Sequence, residues 1–171
     1  DGNKNGACVN TLPGAANIEA FCNGFNDGVV AGGGTGSTLQ LPATAFGDST
    51  AVAQAVRAHV LQNPGIDAMF AIGDQDTNAT ISGIQQAGKA GSVKVCGMNF
   101  NDSILENIKA GTQACAIDQQ GYQQGFFAVS ILNNHVMYGT TIPTREILTG
   151  PGVVDANNVD LVIAGVEAGA R

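Results

Sequence analysis

"IDAMFAIGDQDTNATISGIQQAGKAGSVKVCGM", residues 66–98, decides how the rest of the chain is read. The run "IDAMFAIG" (66–73) is apolar almost without interruption. A strand wetted on one face alternates polar and apolar side chains, whereas a strand covered on both faces does not. The spacing then predicts a helix from about Asp76 to Ala87, stopped by Gly88, because glycine tolerates the left-handed turn that ends helices. "VKVCGM" (93–98) is a second apolar run. Strand, helix and strand in this order form a βαβ unit, whose two strands are parallel.

The same unit recurs in both directions. Upstream, "GACVN" (6–10) reads as a strand before a helix from about Gly14 to Val30, and "STLQLP" (37–42) as the next strand. A helix from about Asp48 to Leu61 carries Val52, Val56 and Val60 on one stripe, with Asp48 or Ser49 placed to cap it. Downstream, Asn101 or Asp102 caps "SILENIKAG" (103–111), and "QACAID" (113–118) is a fifth strand. An apolar helix over 121–138 follows, with "REILTG" (145–150) read as a sixth strand and "NVDLVIAGVEAG" (158–169) as a last helix. The expected fold is a three-layer, doubly wound parallel α/β sheet. Loops "VAGGGTGS" (30–37) and "LTGPGVV" (148–154) are the flexible segments, neither long enough to divide domains.

Composition narrows the function. Of 171 residues 44% are hydrophobic and 12% charged, with a net charge of −7. Nucleic acid binding needs clustered Lys and Arg to displace counterions, and seven scattered basic residues form no such footprint. No window reaches the length of a membrane span. No secretory leader is read, and Asp1 is expected to follow a processing or truncation point. Four cysteines (Cys8, Cys22, Cys96, Cys115) lack the paired spacing of a zinc site. Their count alone leaves bridges in an oxidising compartment and buried thiols equally open.

Ligands of open α/β sheets bind beyond the carboxyl ends of the strands. Those ends carry Asn10 and Thr11, then Thr44 and Phe46, Asp74, Asn99, and finally Asp118 and Gln119. Amides and carboxylates without a cation suit an uncharged polyhydroxyl ligand, and an aromatic ring such as Phe46 covers the C–H face of a sugar. The competing reading is that Asn and Asp end strands because they make good turns and caps. Catalytic constellations are poor. His59 and His135 lie inside helical patterns without a nucleophile, and Asp74 and Asp76 start a helix, where acids suit the dipole. "GGGTG" (32–36) lacks the lysine of a phosphate loop. Met98, Met137 and the Phe126–Phe127 pair read as packing residues. No enzyme, cofactor or metal is expected.

In series, "NGFNDGV" (23–29), "AMFAIGDQDTNATISGIQQAG" (68–88), "VKVCGMNFND" (93–102), "ENIKAGTQACAIDQQGYQQG" (106–125) and "LTGPGVVDANN" (148–158) resemble the carboxyl-terminal lobe of type I periplasmic sugar-binding proteins. These ribose-binding-protein-like receptors serve ABC transporters and share their fold with LacI-type effector domains. The resemblance implies a sheet in flavodoxin-like order and two lobes, joined by three crossover segments, that close on a ligand. It divides the chain into a ligand-binding lobe (1–118), a hinge and crossover helix (119–143), and a return strand with terminal helix (144–171). The crossover helix is expected to pack on an amino-terminal lobe missing from this sequence, with a further hinge near Thr140–Thr144.

Residue by residue, the resemblance implies that Phe46 stacks on the sugar, that Asn99 stands where an acid grips two hydroxyls, and that Gln119 is the hinge glutamine. Gly73 falls where asparagine is frequent, leaving Asp74 as the polar group. Glu19 replaces an arginine, which leaves room for an amino-sugar or a different polyol. Thr11 completes the expected ligand set. In one branch of the family a strand-one cysteine and a cysteine before "GF" occur together, which implies a Cys8–Cys22 bridge. Cys96 and Cys115 fall on neighbouring strands and offer a second. The implied setting is periplasmic or otherwise extracytoplasmic, secreted or lipid-anchored, with a sugar or polyol ligand and an ABC permease as partners. Phe126, Phe127, Val129, Ile131, Leu132 and Val136 on the crossover helix predict a homodimer, helix exchange or refolding onto its own lobe. The rival readings are a LacI-type regulator's effector domain and a small flavodoxin-like enzyme. "NTLPGAAN" (10–17) gives the latter a turn and a helix start but no phosphate loop.

Overall fold

A computed structural model describes residues 4–142 and 144–171. The chain order is β1 (Asn5–Asn10), α1 (Ala16–Ala31), β2 (Thr35–Gln40), α2 (Ser49–Gln62), β3 (Ala68–Ala71), α3 (Asp74–Gln86), β4 (Lys94–Met98), α4 (Asp102–Lys109), β5 (Cys115–Asp118), α5 (Gly121–Tyr138), β6 (Gly152–Asp155) and α6 (Val159–Glu167). A single 3₁₀ turn, Ala43–Ala45, precedes α2. The sheet order is β2-β1-β3-β4-β5-β6. The first five strands run parallel in flavodoxin-like order, and β6 pairs antiparallel with β5.

Register assigns each side chain to a face, because successive residues of a strand point to opposite sides. Val9, Ala71, Gly97, Ala116 and Val154 lie in one row. Ala7, Met69 and Val95 share that face. It is covered by Val52, Val56, Val60, Ile81 and Ile84 of α2 and α3, then by Ile104, Leu105, Ile108, Val159 and Val162 of α4 and α6. The valine stripe of α2 is thus its core face, and each such side chain contributes roughly 1.5–3 kcal/mol on burial. The opposite face carries the row Cys8, Phe70, Cys96 and Cys115. There α1 supplies Phe21, Cys22 and Phe25, with Phe25 stacked on Phe70 at 5.4 Å between ring centres.

Caps follow the local chemistry. Asp48 accepts from Thr50 N and Ala51 N, both at 3.0 Å, and Asn101 accepts from Ile104 N at 3.1 Å. Gly88 stands just past the end of α3 at φ 71°. Both bridges form, Cys8 to Cys22 and Cys96 to Cys115.

Several boundaries differ from the expectations. β2 begins at Thr35 and ends at Gln40, because Pro42 has no N–H for a ladder; Leu41 N still reaches Asn10 O at 2.9 Å. α3 begins at Asp74 instead of near Asp76. The largest correction concerns the end of the chain. "REILTG" (145–150) is not a strand, and β6 lies inside the stretch read as the flexible loop 148–154. A strand exists only where a neighbour offers its ladder, and β5 offers one to Val153 and Val154 opposite Ile117 and Ala116. The sheet is therefore mixed, not wholly parallel. Of the expected hinge at 140–144, Pro143 lies outside the described residues, as does Asp1.

Candidate functional site

The carboxyl ends of β1, β3, β4 and β5 form a rim whose polar side chains are largely fastened to one another. Asn10 is fully buried at the end of β1. Its Oδ1 accepts from Leu12 N at 2.9 Å, and its Nδ2 donates to Glu19 Oε1 at 3.1 Å. The same Glu19 oxygen accepts from Gly14 N at 3.0 Å. Glu19 Oε1 therefore ties the β1–α1 loop back onto α1.

Thr11 is buried beside it, and its hydroxyl donates to Asp76 Oδ2 at 2.8 Å. Burial pushes the Asp76 carboxyl above the usual carboxylate range; the Thr11 hydrogen bond works against that shift, and the charge of Asp74 adds to it. Asp74 Oδ2 accepts from Asn101 Nδ2 at 2.6 Å. Asn101 is held in turn by the Ser103 hydroxyl at 2.7 Å, which accepts from Asn78 Nδ2 at 2.9 Å. A polar relay along the outside of α3 and α4 thus fixes the orientation of Asp74.

Asn99 and Gln119 are the exposed part of the rim. Asn99 adopts a left-handed conformation at φ 61°, which asparagine tolerates better than most residues. Its N–H reaches Ile117 O at 2.8 Å, and its Oδ1 accepts from Gln119 Nε2 at 2.7 Å. Behind them Asp118 is buried and sets the next turn. Its Oδ1 accepts from Gln120 N at 2.7 Å, while its Oδ2 accepts from Arg171 Nη1 at 3.0 Å. Gln120, at φ 56°, launches α5 away from the sheet. Gln119 O takes Gln124 Nε2 at 2.7 Å and the Thr149 hydroxyl at 3.3 Å, so outgoing and returning chain meet at this one carbonyl.

The structure thus pairs Thr11 with Asp76, Asp74 with Asn101, and Asn99 with Gln119. Phe46 is 60% exposed, just after the 3₁₀ turn. Two participants escaped the sequence. Arg171 lies 53 residues beyond Asp118 and brings a cation to a rim read as having none; no local pattern marks it. Asn101 reads as a helix cap, and only the close approach of α3 and α4 makes it a partner of Asp74. A hollow of about 440 Å³ lies on one side of Gln119, lined by Phe21, Met98, Ile117, Ile147, Leu148 and Pro151 among others. A smaller one of about 310 Å³ lies on the other, between Asn99, Asp118, Tyr122 and Arg171. Among the described residues no group of three or more His, Cys, Asp or Glu is placed to hold a metal ion. No helix among them is long and apolar enough to cross a membrane.

Comparison with known proteins adds a family to this geometry. A family model described as "Periplasmic binding protein domain" matches residues 1–140. A xylose/arabinose-binding protein of Sulfolobus acidocaldarius is 24% identical over 152 residues, which is 86% of this chain and 37% of that protein. A carbohydrate transporter from Acidothermus cellulolyticus, solved with myo-inositol, is 31% identical with a TM-score of 0.78; the match covers 99% of this chain and 57% of that one. A periplasmic ribose ABC transporter from Conexibacter woesei superposes at 0.81 with 23% identity, over 99% of this chain and 56% of that one, a likeness of fold. The chain therefore spans a little over half of these structures and about a third of the curated relative.

Proposed function

This chain belongs to the periplasmic binding protein domain family, and from that premise we propose that its rim is one half of a clamp that carries a sugar or polyol to an ABC importer. The observation that carries the reading is the exposed Asn99–Gln119 amide pair at the ends of adjacent strands. Each amide presents donors and acceptors in a fixed orientation, which matches the alternating demands of neighbouring hydroxyls. Asp74, steadied by Asn101, supplies a strong acceptor. Phe46 offers an exposed ring to the C–H face of a pyranose. Thr11 acts one step back, spending its hydroxyl on Asp76.

A second α/β lobe facing this rim supplies the remaining contacts, and α5 is the helix that crosses to it. Closure is favoured because only the closed state satisfies both sets of hydrogen bonds. The chain is a receptor and not a catalyst in this reading, and it works outside the cytoplasm, where its two disulfides persist. The carboxylates at Asp74 and Glu19 favour a neutral polyol or an amino-sugar over an acid sugar. The test is an amide-resonance titration with myo-inositol, arabinose, ribose, allose and glucosamine. Weak, saturable shifts at Asn99, Gln119 and Phe46 are expected for a single lobe, and they are lost in Gln119→Ala. Shifts confined to another part of the molecule, or none at all, overturn the assignment of the rim. Micromolar binding by the monomer overturns its reading as half a site.

A further inference from the structure

The turn after β5 holds a conformation that its own residues do not favour. Gln120 stands at φ 56°, a left-handed geometry that glycine adopts freely and other residues adopt at a cost. Glutamine lacks the short polar side chain by which Asn or Asp eases such a turn. What holds it is Asp118, two residues before, whose Oδ1 accepts from Gln120 N at 2.7 Å. Asp118 is itself buried, and a buried carboxylate needs a partner for its second oxygen. Arg171 Nη1 supplies it at 3.0 Å, from 53 residues along the chain. The end of α6 is shaped to deliver that guanidinium. Gly169, at φ 67°, reverses the chain after the helix, with Gly169 N on Val166 O and Ala170 N on Gly165 O, both at 2.9 Å. The Arg171 stem then crosses Gly165, where a Cβ would stand 3.2 Å from Arg171 Cδ and crowd it.

We propose that Arg171 is a positioning residue of the binding site: through Asp118 it holds the left-handed turn at Gln120, and that turn sets Gln119 beside Asn99 and the direction in which α5 leaves the sheet. Gln119 is the residue spanned by the Asp118–Gln120 bond, which confines its backbone, and its Nε2 then meets Asn99 Oδ1 at 2.7 Å. The returning chain passes close to the same turn by way of glycines. A Cβ at Gly150 would stand 3.0 Å from Asp118 O, and one at Gly152 would stand 3.2 Å from Gln120 Nε2. Arg171 acts through Asp118 and touches no ligand itself. Without its cation, the left-handed form of Gln120 competes with the ordinary right-handed and extended conformations of glutamine. Only the fraction that stays left-handed presents Gln119 to a ligand, and apparent affinity falls by that fraction. The effect on the ligand rests on the sugar-rim reading, whereas the hold on the turn does not.

Nuclear magnetic resonance of the 171-residue chain tests it, with arabinose and myo-inositol as the probes. A left-handed φ brings the Gln120 amide proton close to its own α proton and gives a strong cross-peak within the residue. In Arg171→Gln this cross-peak is expected to weaken, the Gln119 side-chain amide to shift, and the sugar dissociation constant to rise by about tenfold. Adding Gln120→Gly, which takes the left-handed form without penalty, returns the Gln119 amide and the affinity toward those of the parent. Lys109→Gln is the control. It removes a cation and an exposed ion pair, 2.8 Å from Asp160, at the other end of α6, and leaves the resonances of the turn unmoved. The proposal is overturned if Arg171→Gln leaves the Gln120 cross-peak and the Gln119 amide as they are, or if Gln120→Gly rescues nothing. An equal disturbance in Lys109→Gln overturns it too. So does loss of amide protection throughout α6 in Arg171→Gln, because Arg171 then anchors the helix and not the turn. A turn that responds in a chain that binds no sugar supports the hold of Arg171 and overturns the rim.

Discussion

At the scale of single residues, Asp76 is a group whose chemistry the fold disturbs. It is buried, held by Thr11 and neighboured by Asp74, and its folded pKa lies above the unfolded one. An acid shifted upward destabilises the folded state above its folded pKa, and that destabilisation fades as pH falls through it. Asp76→Asn keeps an acceptor for Thr11 without the charge. The variant is expected to melt higher than the parent at neutral pH, with the gap narrowing down to about pH 4. Melting curves at several pH values check this, and a gap that widens on acidification refutes it. The Cys8–Cys22 bridge belongs to the same scale. It closes a loop of 14 residues between β1 and α1. Replacing both cysteines by serine should lower the denaturation free energy by about 3 kcal/mol.

Among elements, the α2–α3 pair shows how magnitudes decide a sign. Gly83 lies within α3, where alanine would ordinarily gain about 1 kcal/mol. A Cβ there, however, would stand 2.8 Å from Val56 Cβ and against Ala53 O of α2. Overpacking of this kind costs about 1–3 kcal/mol, so Gly83→Ala should destabilise on balance. Urea unfolding measures it, and a stabilised variant would show that the two helices can part. The elements also mark where sequence reading held. The strands either side of α3 were legible because burial on both faces leaves nearly unbroken apolar runs, and the helix between them was read from about Asp76 to Ala87, two residues late at its start. β6 was not. Its four residues are two valines between a glycine and an aspartate, and a segment so short is defined by the ladder of β5. "REILTG", a longer run with Ile147 and Thr149, has no such neighbour.

For the whole molecule, the question is how a rim and an unpacked helix act together. With a second lobe closing over the rim, ligand contacts come from both sides, so a two-lobed chain is expected to bind a sugar far more tightly than the rim alone. Titrations of the single lobe and of a chain carrying both lobes check this; equal affinity in the two would place the ligand on a single rim.

By itself the sequence determined the alternation of strand and helix, the apolar stripe of α2, and the polar residue types at the strand ends, because periodicity and capping are local properties. Tertiary structure alone decided that Glu19 is tied to Asn10, that Asp74 leans on Asn101, that Arg171 reaches Asp118, and that β6 turns antiparallel. Those outcomes depend on which segments approach one another across the sheet. A hydrogen bond between residues dozens of positions apart has no period to betray it.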